Sequence, residues 1–84
     1  MDRIATVSII VEQNNQEVVK KINDLLHEFQ DIILGRMGIP YREHSVNIIC
    51  LALCSQEDKI NAFAGKLGRI EGISAKTLYS KYSY

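Results

Sequence analysis

The chain has 84 residues, and its 10 Lys and Arg side chains balance its 10 Asp and Glu side chains, so the formal net charge is zero. This length predicts a single domain over residues 1–84. A domain of this size buries only about 60–65% of its unfolded surface, so we expect a thin core. Zero net charge without a basic stripe argues against a nucleic-acid partner. No apolar segment approaches the roughly 18 residues that a membrane span requires.

The N-terminus has the character of a strand and not of a secretory signal. An acid at position 2 and the lack of a small-residue cleavage site are poor signal-peptide features. Two cysteines without such a signal fit a reduced, cytoplasmic protein. Residues 3–12 are rich in β-branched side chains and fairly apolar on both alternating sets. This pattern is typical of a strand that is covered on one face and partly covered on the other.

A helix is predicted next. Asn14, with Glu17 three residues later, has the spacing of a capping box. One apolar face then recurs at helical spacing, formed by Val18, Ile22, Leu25, Leu26 and Phe29. We expect this helix to end between Phe29 and Asp31. A short apolar run broken by Gly35 and Gly38 follows, and residues 40–45 have the composition of a turn.

The second half of the chain predicts a strand, a helix and a strand. Residues 46–54 are the most hydrophobic stretch, carry no charge, and indicate a central strand that is apolar on both faces. Ser55, with Asp58 at the third position, is the expected cap of a helix that ends at Gly68 or Gly72. The inward face of this helix would hold Ile60, Phe63, Ala64 and Leu67. Residues 73–80 read as a half-exposed strand, and the tyrosine-rich tail from about residue 79 is either frayed or a strand extension that packs on a partner.

The order β-α-β-β-α-β folds, with right-handed crossovers, into a ferredoxin-like α+β sandwich. A four-stranded antiparallel sheet would carry two helices on one face, with the second strand at an edge. The central strand would then offer apolar side chains on both faces: Ile48, Cys50 and Ala52 on one, Ile49, Leu51 and Leu53 on the other. Because the helices cover only one face, we expect a homodimer or a homotetramer.

Residues 35–43, "GRMGIPYRE", carry two glycines, a proline and two arginines where a strand is expected. One interpretation is an edge strand that runs into a hairpin, since edges and bulges tolerate glycine and proline; Arg36 would then pair with a surface acid such as Glu43. The other is a ligand or partner site at a subunit interface. Glycines permit close backbone approach, and guanidinium groups suit carboxylate or phosphate. The candidate binding residues are Gly35, Arg36, Gly38, Pro40, Tyr41 and Arg42.

The sequence indicates neither a catalytic nor a cofactor site. Cys50 and Cys54 lie four positions apart on a strand, roughly 13 Å, which exceeds the reach of a disulfide; we expect small core hydrophobes at both positions. His27 and His44 are the only histidines, and no metal-ligand spacing joins them to the cysteines. A metal site could therefore be built only across a subunit interface. No nucleophile set or phosphate loop is present, so a non-enzymatic protein without a cofactor is expected.

"DIILGRMGIPYRE" and the later "GKLGRIEGISAK", with "TVSIIVE" and the capped first helix, resemble the iron-only hydrogenase system regulator family over nearly the whole chain, to about Leu78. The resemblance implies a bacterial regulator with an ACT-like fold, similar to the effector-binding domain of nickel-responsive repressors. It implies a regulatory role linked to the maturation or expression of the hydrogenase. The function we expect is a regulatory module that oligomerises and binds a small effector at a subunit interface.

Two features depart from those relatives. The nickel-ligand positions of the repressors would fall on His27, Gly38, Pro40 and Val46, and only His27 keeps a ligand side chain. The glycine that typical ACT domains carry after the first strand is replaced by "EQNNQ". The resemblance therefore implies a shared fold without the nickel site, and the missing glycine argues against the usual amino-acid effector site. The alternative function is a metal-binding or metal-carrier protein that uses interface His and Cys side chains.

Overall fold

The computed structural model describes all 84 residues. Its main elements are β1 (Asp2–Glu12), α1 (Gln16–Glu28), β2 (Ile33–Tyr41), β3 (Val46–Gln56), α2 (Glu57–Gly68) and β4 (Ile73–Ser83). Short 3-10 turns, Gln30–Ile32 and Arg42–His44, precede β2 and β3. The four strands form one antiparallel sheet in the order β2-β3-β1-β4. The predicted ferredoxin-like sandwich is confirmed. No helix combines the length and apolarity needed to cross a membrane.

The core lies between the two helices and one face of the central strands. Alternating residues of β1 are almost fully buried, and so are alternating residues of β3, because successive side chains of a strand point to opposite faces. Phe29 and Phe63 meet edge to face with ring centroids 5.4 Å apart, which joins the two helices. All 16 buried residues are apolar. The predicted inward faces of both helices are confirmed, with Ala64 only half-buried.

The segment that the sequence divided between a strand and a turn is one continuous edge strand. β2 pairs only with β3 and contains an irregularity between Ile33 and Gly35. Pro40 lies opposite Asn47 within the pairing, so placing Pro40 and Tyr41 in the turn was wrong. An edge strand tolerates proline because its outer side needs no hydrogen-bond donor. The turn proper covers Arg42–His44 and closes at Ser45, which adopts φ 54°.

Both predicted helix caps were misplaced. The N-cap of α1 is Asn15, whose side-chain oxygen accepts a hydrogen bond from the Val18 N–H at 3.3 Å. The third helical position is therefore Val18, and Glu17 cannot complete a capping box. Ser55 belongs to β3, opposite Arg3, because the ladder with β1 continues to Gln56. α2 begins without a side-chain cap.

The tyrosine-rich tail extends the last strand along β1. Asp2 and Tyr84 exchange backbone hydrogen bonds of 2.6 and 2.9 Å. The Arg3 guanidinium donates to the Ser80 carbonyl at 2.6 Å and lies 5.5 Å from the centroid of the Tyr79 ring. Burial, together with the nearby charge of Glu57, raises the pKa of Tyr79. The tail is therefore an extension of the last strand and not a frayed end.

The position of the α1 cap gives a direct test of helix stability. Replacing Asn15 by Ala should lower the free energy of unfolding by about 1 kcal/mol, because the Val18 N–H loses its acceptor. The matched control is Asn14→Ala, which removes an exposed amide next to the cap and should leave stability almost unchanged. Urea unfolding followed by circular dichroism measures both variants. A larger loss at Asn14 would place the cap where the sequence predicted it.

Candidate functional site

Strand register divides the candidate segment between the two faces of the sheet. Arg36 lies opposite Leu51 and Gly38 lies opposite Ile49. Leu51 and Ile49 are buried beneath the helices, so Arg36 and Gly38 belong to the helix side of β2. By the same alternation Pro40 also belongs to this side.

A cleft separates α1 from β2 on the helix side, and we call it the α1–β2 cleft. One part, of about 300 Å³, is lined by Val19, Asn23, Arg36, Gly38, Ile39, Pro40, Asn47 and Ile49. A second part, of about 380 Å³, is lined by Asn23, Leu26, His27, Gln30, Ile33 and Arg36. Asn23 and Arg36 border both parts, so the two parts are adjacent.

The cleft exists because β2 offers little bulk to α1. A Cβ atom placed on Gly38 would meet no atom within 4 Å, and Pro40 contributes only a compact ring. The wall on the other side is a stripe of α1 residues one helical turn apart: Val19, Asn23 and His27. The space between helix and edge strand therefore remains open to solvent.

The polar residues that line the cleft include several hydrogen-bond donors and no carboxylate. The acids nearest to it along the chain already have partners. Asp24 accepts from Lys20 at 2.8 Å, Glu28 accepts from Lys66 at 2.5 Å, and Asp31 pairs with Lys59. The hydrogen bond from Lys59 lowers the pKa of Asp31.

Arg36 forms no ion pair with the rest of the protein. The predicted pairing of Arg36 with Glu43 is not found, and the Glu43 carboxylate accepts instead from the Tyr41 hydroxyl at 3.2 Å. Arg36 borders both parts of the cleft and has no compensating charge within the protein.

The opposite face of the sheet carries no helix, and we call it the open face. Its rows across β2, β3 and β1 include Ile39–Ile48–Ile10 and Met37–Cys50–Ser8. Ile10, Met37, Ile39 and Leu78 are 46%, 54%, 45% and 71% exposed. A shallow depression of about 380 Å³ lies on this face around Met37 and Cys50.

Both cysteines are free and half-buried on the open face. Their placement among the core hydrophobes was wrong, because the core takes the odd-numbered positions of β3 and the cysteines occupy even ones. The expected lack of a mutual disulfide agrees with this geometry. The structure contains no group of three or more His, Cys, Asp or Glu side chains that could hold a metal ion.

The structure brings only part of the predicted site together. Arg36, Gly38 and Pro40 line the α1–β2 cleft. Gly35 and Tyr41 belong to the open face, and Arg42 lies in the turn. The Tyr41 ring packs against the His44 ring with centroids 5.1 Å apart.

The sequence prediction missed the contribution of the first helix to this site. Asn23, His27 and Gln30 border the cleft from α1 and the turn that follows it, and Asn47 borders it from β3. The available signal was the four-residue spacing of Val19, Asn23 and His27 along the flank of the apolar face. Nothing in that spacing identifies β2 as the neighbour.

Comparisons with known proteins agree with this architecture. A family model described as "TM1266-like: Iron-only hydrogenase system regulator, putative" matches residues 3–77. Among solved structures, the uncharacterized protein TM1266 from Thermotoga maritima is 40% identical with a TM-score of 0.89, covering 96% of this chain and 100% of that chain. No curated protein matches the chain.

The fold has a second relative. The ACT domain of a GTP pyrophosphokinase from Chlorobium tepidum is 19% identical with a TM-score of 0.74, covering 93% of this chain and 100% of that domain. At this identity the likeness concerns the fold alone. The fold is therefore ACT-like, and the chain belongs to the TM1266-like family of iron-only hydrogenase system regulators.

Proposed function

We propose that this protein is a non-enzymatic regulatory module of an iron-only hydrogenase system in the bacterial cytoplasm. It assembles through its open face into a homodimer or homotetramer and binds a small effector or a partner at its β2 edge. The family description supports the regulatory role. The ACT-like fold supports a module that acts through binding. The single observation that supports this assembly is the apolar face of the sheet that no helix covers.

A second copy of this chain is the occupant that best fits the open face. Monomeric soluble proteins rarely expose a contiguous apolar patch of this kind. The two central strands place no charge along the middle of the face, where Ile10, Ile48, Cys50 and Ala52 lie. The central strands of two copies related by a twofold axis would therefore meet without like-charge repulsion. Since both helices lie on the other side, two sheets can stack at the usual spacing of about 10 Å.

Self-association also offsets the thin core of a small domain. Only 16 of the 84 residues are buried in the single chain. Packing two open faces would remove further apolar surface from water, at about 25 cal/mol for each Å². Ile10, Met37, Ile39 and Leu78, which are 45–71% exposed in the single chain, would contribute to this gain.

A metal-binding protein is the second candidate function. The observation that favours it is the placement of both cysteines on the open face, with Met37 directly opposite Cys50. Stacked copies would bring soft sulfur ligands from two chains together. Native mass spectrometry of protein from its own host would report bound metal and oligomer in one measurement. A metal-free oligomer would favour the regulatory module.

Ile10→Asp tests the assembly. A carboxylate at the centre of the stacked faces would be buried without a partner, so we expect the dissociation constant of the oligomer to rise at least about tenfold. Ala62→Asp is the matched control, because it adds the same charge to an exposed position on α2. Analytical ultracentrifugation over a micromolar concentration series measures the mass. A wild-type protein that remains monomeric throughout would contradict the assembly.

The isolated chain should not bind duplex DNA. Binding to the phosphate backbone requires clustered Lys and Arg side chains, whereas this chain has zero net charge and both helices pack on the sheet. Fluorescence anisotropy with a labelled duplex at low salt should show no saturable change. Tight binding that weakens steeply with added salt would overturn this part of the proposal.

A further inference from the structure

We propose that the α1–β2 cleft is a binding site for a small organic carboxylate, held through its charged group by Arg36 and through a short hydrocarbon part by the apolar floor. The inference rests on the proposed function and deepens it, because it names the chemical class of the effector and the residues that bind it. In this proposal the site includes only the residues on the helix side of β2 and not the whole segment 35–43.

The charge in the cleft determines the sign of the ligand. The Arg36 guanidinium has a planar fork of donors that matches a carboxylate in two parallel hydrogen bonds. Asp24, Glu28 and Asp31 are each engaged by a lysine elsewhere on the surface. With no acid among the lining residues of either part of the cleft, an anion from outside the chain is the natural partner.

Neutral donors line the cleft together with Arg36. The side chains of Asn23 and Gln30 line the cleft and form no hydrogen bond within the protein. The Asn47 side-chain oxygen accepts from Gln13 at 3.2 Å, which leaves the NH₂ group of Asn47 available to donate. A carboxylate has lone pairs for several such donors, whereas a cation would find no compensating charge.

The remaining surface of the cleft favours an organic ligand. Val19, Ile49 and Pro40 form an apolar surface beside Arg36, and Gly38 leaves the floor open. A volume of about 300 Å³ lies at the lower end of the range for small-molecule sites. The lining residues offer a phosphate a single guanidinium, and they include neither a helix N-terminus nor a glycine-rich loop, which are the usual phosphate-binding elements. A carboxylate with a short aliphatic chain can bind both Arg36 and the apolar surface beside it.

Valerate is a suitable probe for the full-length protein, with valeramide as its uncharged match and inorganic phosphate as a purely ionic one. Amide NMR titration should show valerate shifting the signals of α1 and β2 residues around the cleft, with weak affinity as expected for a fragment. Valeramide and phosphate should each bind at least about tenfold more weakly, because each lacks one half of the recognition.

Two variants locate the site, and each has a matched control. Arg36→Gln should weaken valerate binding at least about tenfold, while Arg69→Gln, an unpaired arginine at the end of α2, should not. Gly38→Val should block the floor of the cleft without a steric clash, since an added Cβ there meets no atom within 4 Å. Gly65→Val adds the same side chain at an exposed position of α2, away from the cleft and the open face, and should leave binding unchanged.

The outcomes separate this inference from the proposed function. Equal binding by Arg36→Gln, tighter binding of phosphate than of valerate, or no valerate binding at all would overturn the carboxylate site. Tighter binding of an acetylated peptide that ends in aspartate would assign the cleft to a protein carboxylate and overturn the small-molecule ligand. Each of these results leaves the ultracentrifugation test of the open face unaffected, because Arg36 and Gly38 lie on the helix side.

Discussion

The packing of one face of the two central strands beneath α1 and α2 is the contact on which the rest of the structure depends. Strands alternate their side chains, so the residues that fill this core leave an equal number facing away. In β3 both sets are largely apolar, and in β1 the second set includes Ile4 and Ile10. With both helices on one side, the second apolar set has no cover from its own chain. The same pattern that makes the fold stable therefore creates the open face.

The edge strand β2 follows a different constraint. It pairs with β3 alone, and from Leu34 onward all of its residues are exposed. β2 lies at the edge of the sheet beside α1, and its residues Arg36, Gly38 and Pro40 line the cleft between the two elements. The cleft and the open face are thus two sides of one strand. An effector on one side and a second copy on the other would each contact the same backbone, which gives a physical route for coupling binding to assembly.

Recognition of the family and recognition of the site came from different properties of the same segment. The "GRMGIPYRE" stretch identified the family by its residue types in order, and the match over residues 3–77 agrees with that identification. Its residue types also suggested a single binding surface. Alternation divides them, since Gly35 and Tyr41 face away from Arg36 and Gly38. A contiguous sequence motif in a strand always distributes its side chains over two faces.

The sequence by itself determined the order of elements, the inward faces of both helices and the edge position of β2, because periodicity and chain connectivity are local properties. Only the tertiary structure decided that Asn15 caps α1, that Pro40 lies within β2, and that the cysteines lie outside the core. Pairing with a neighbouring strand extends β2 and β3 beyond the residues whose local composition predicts a strand. The tertiary structure also decided that Asn23 and His27 face Arg36. Residues so distant in the chain meet only through packing, which no local pattern encodes.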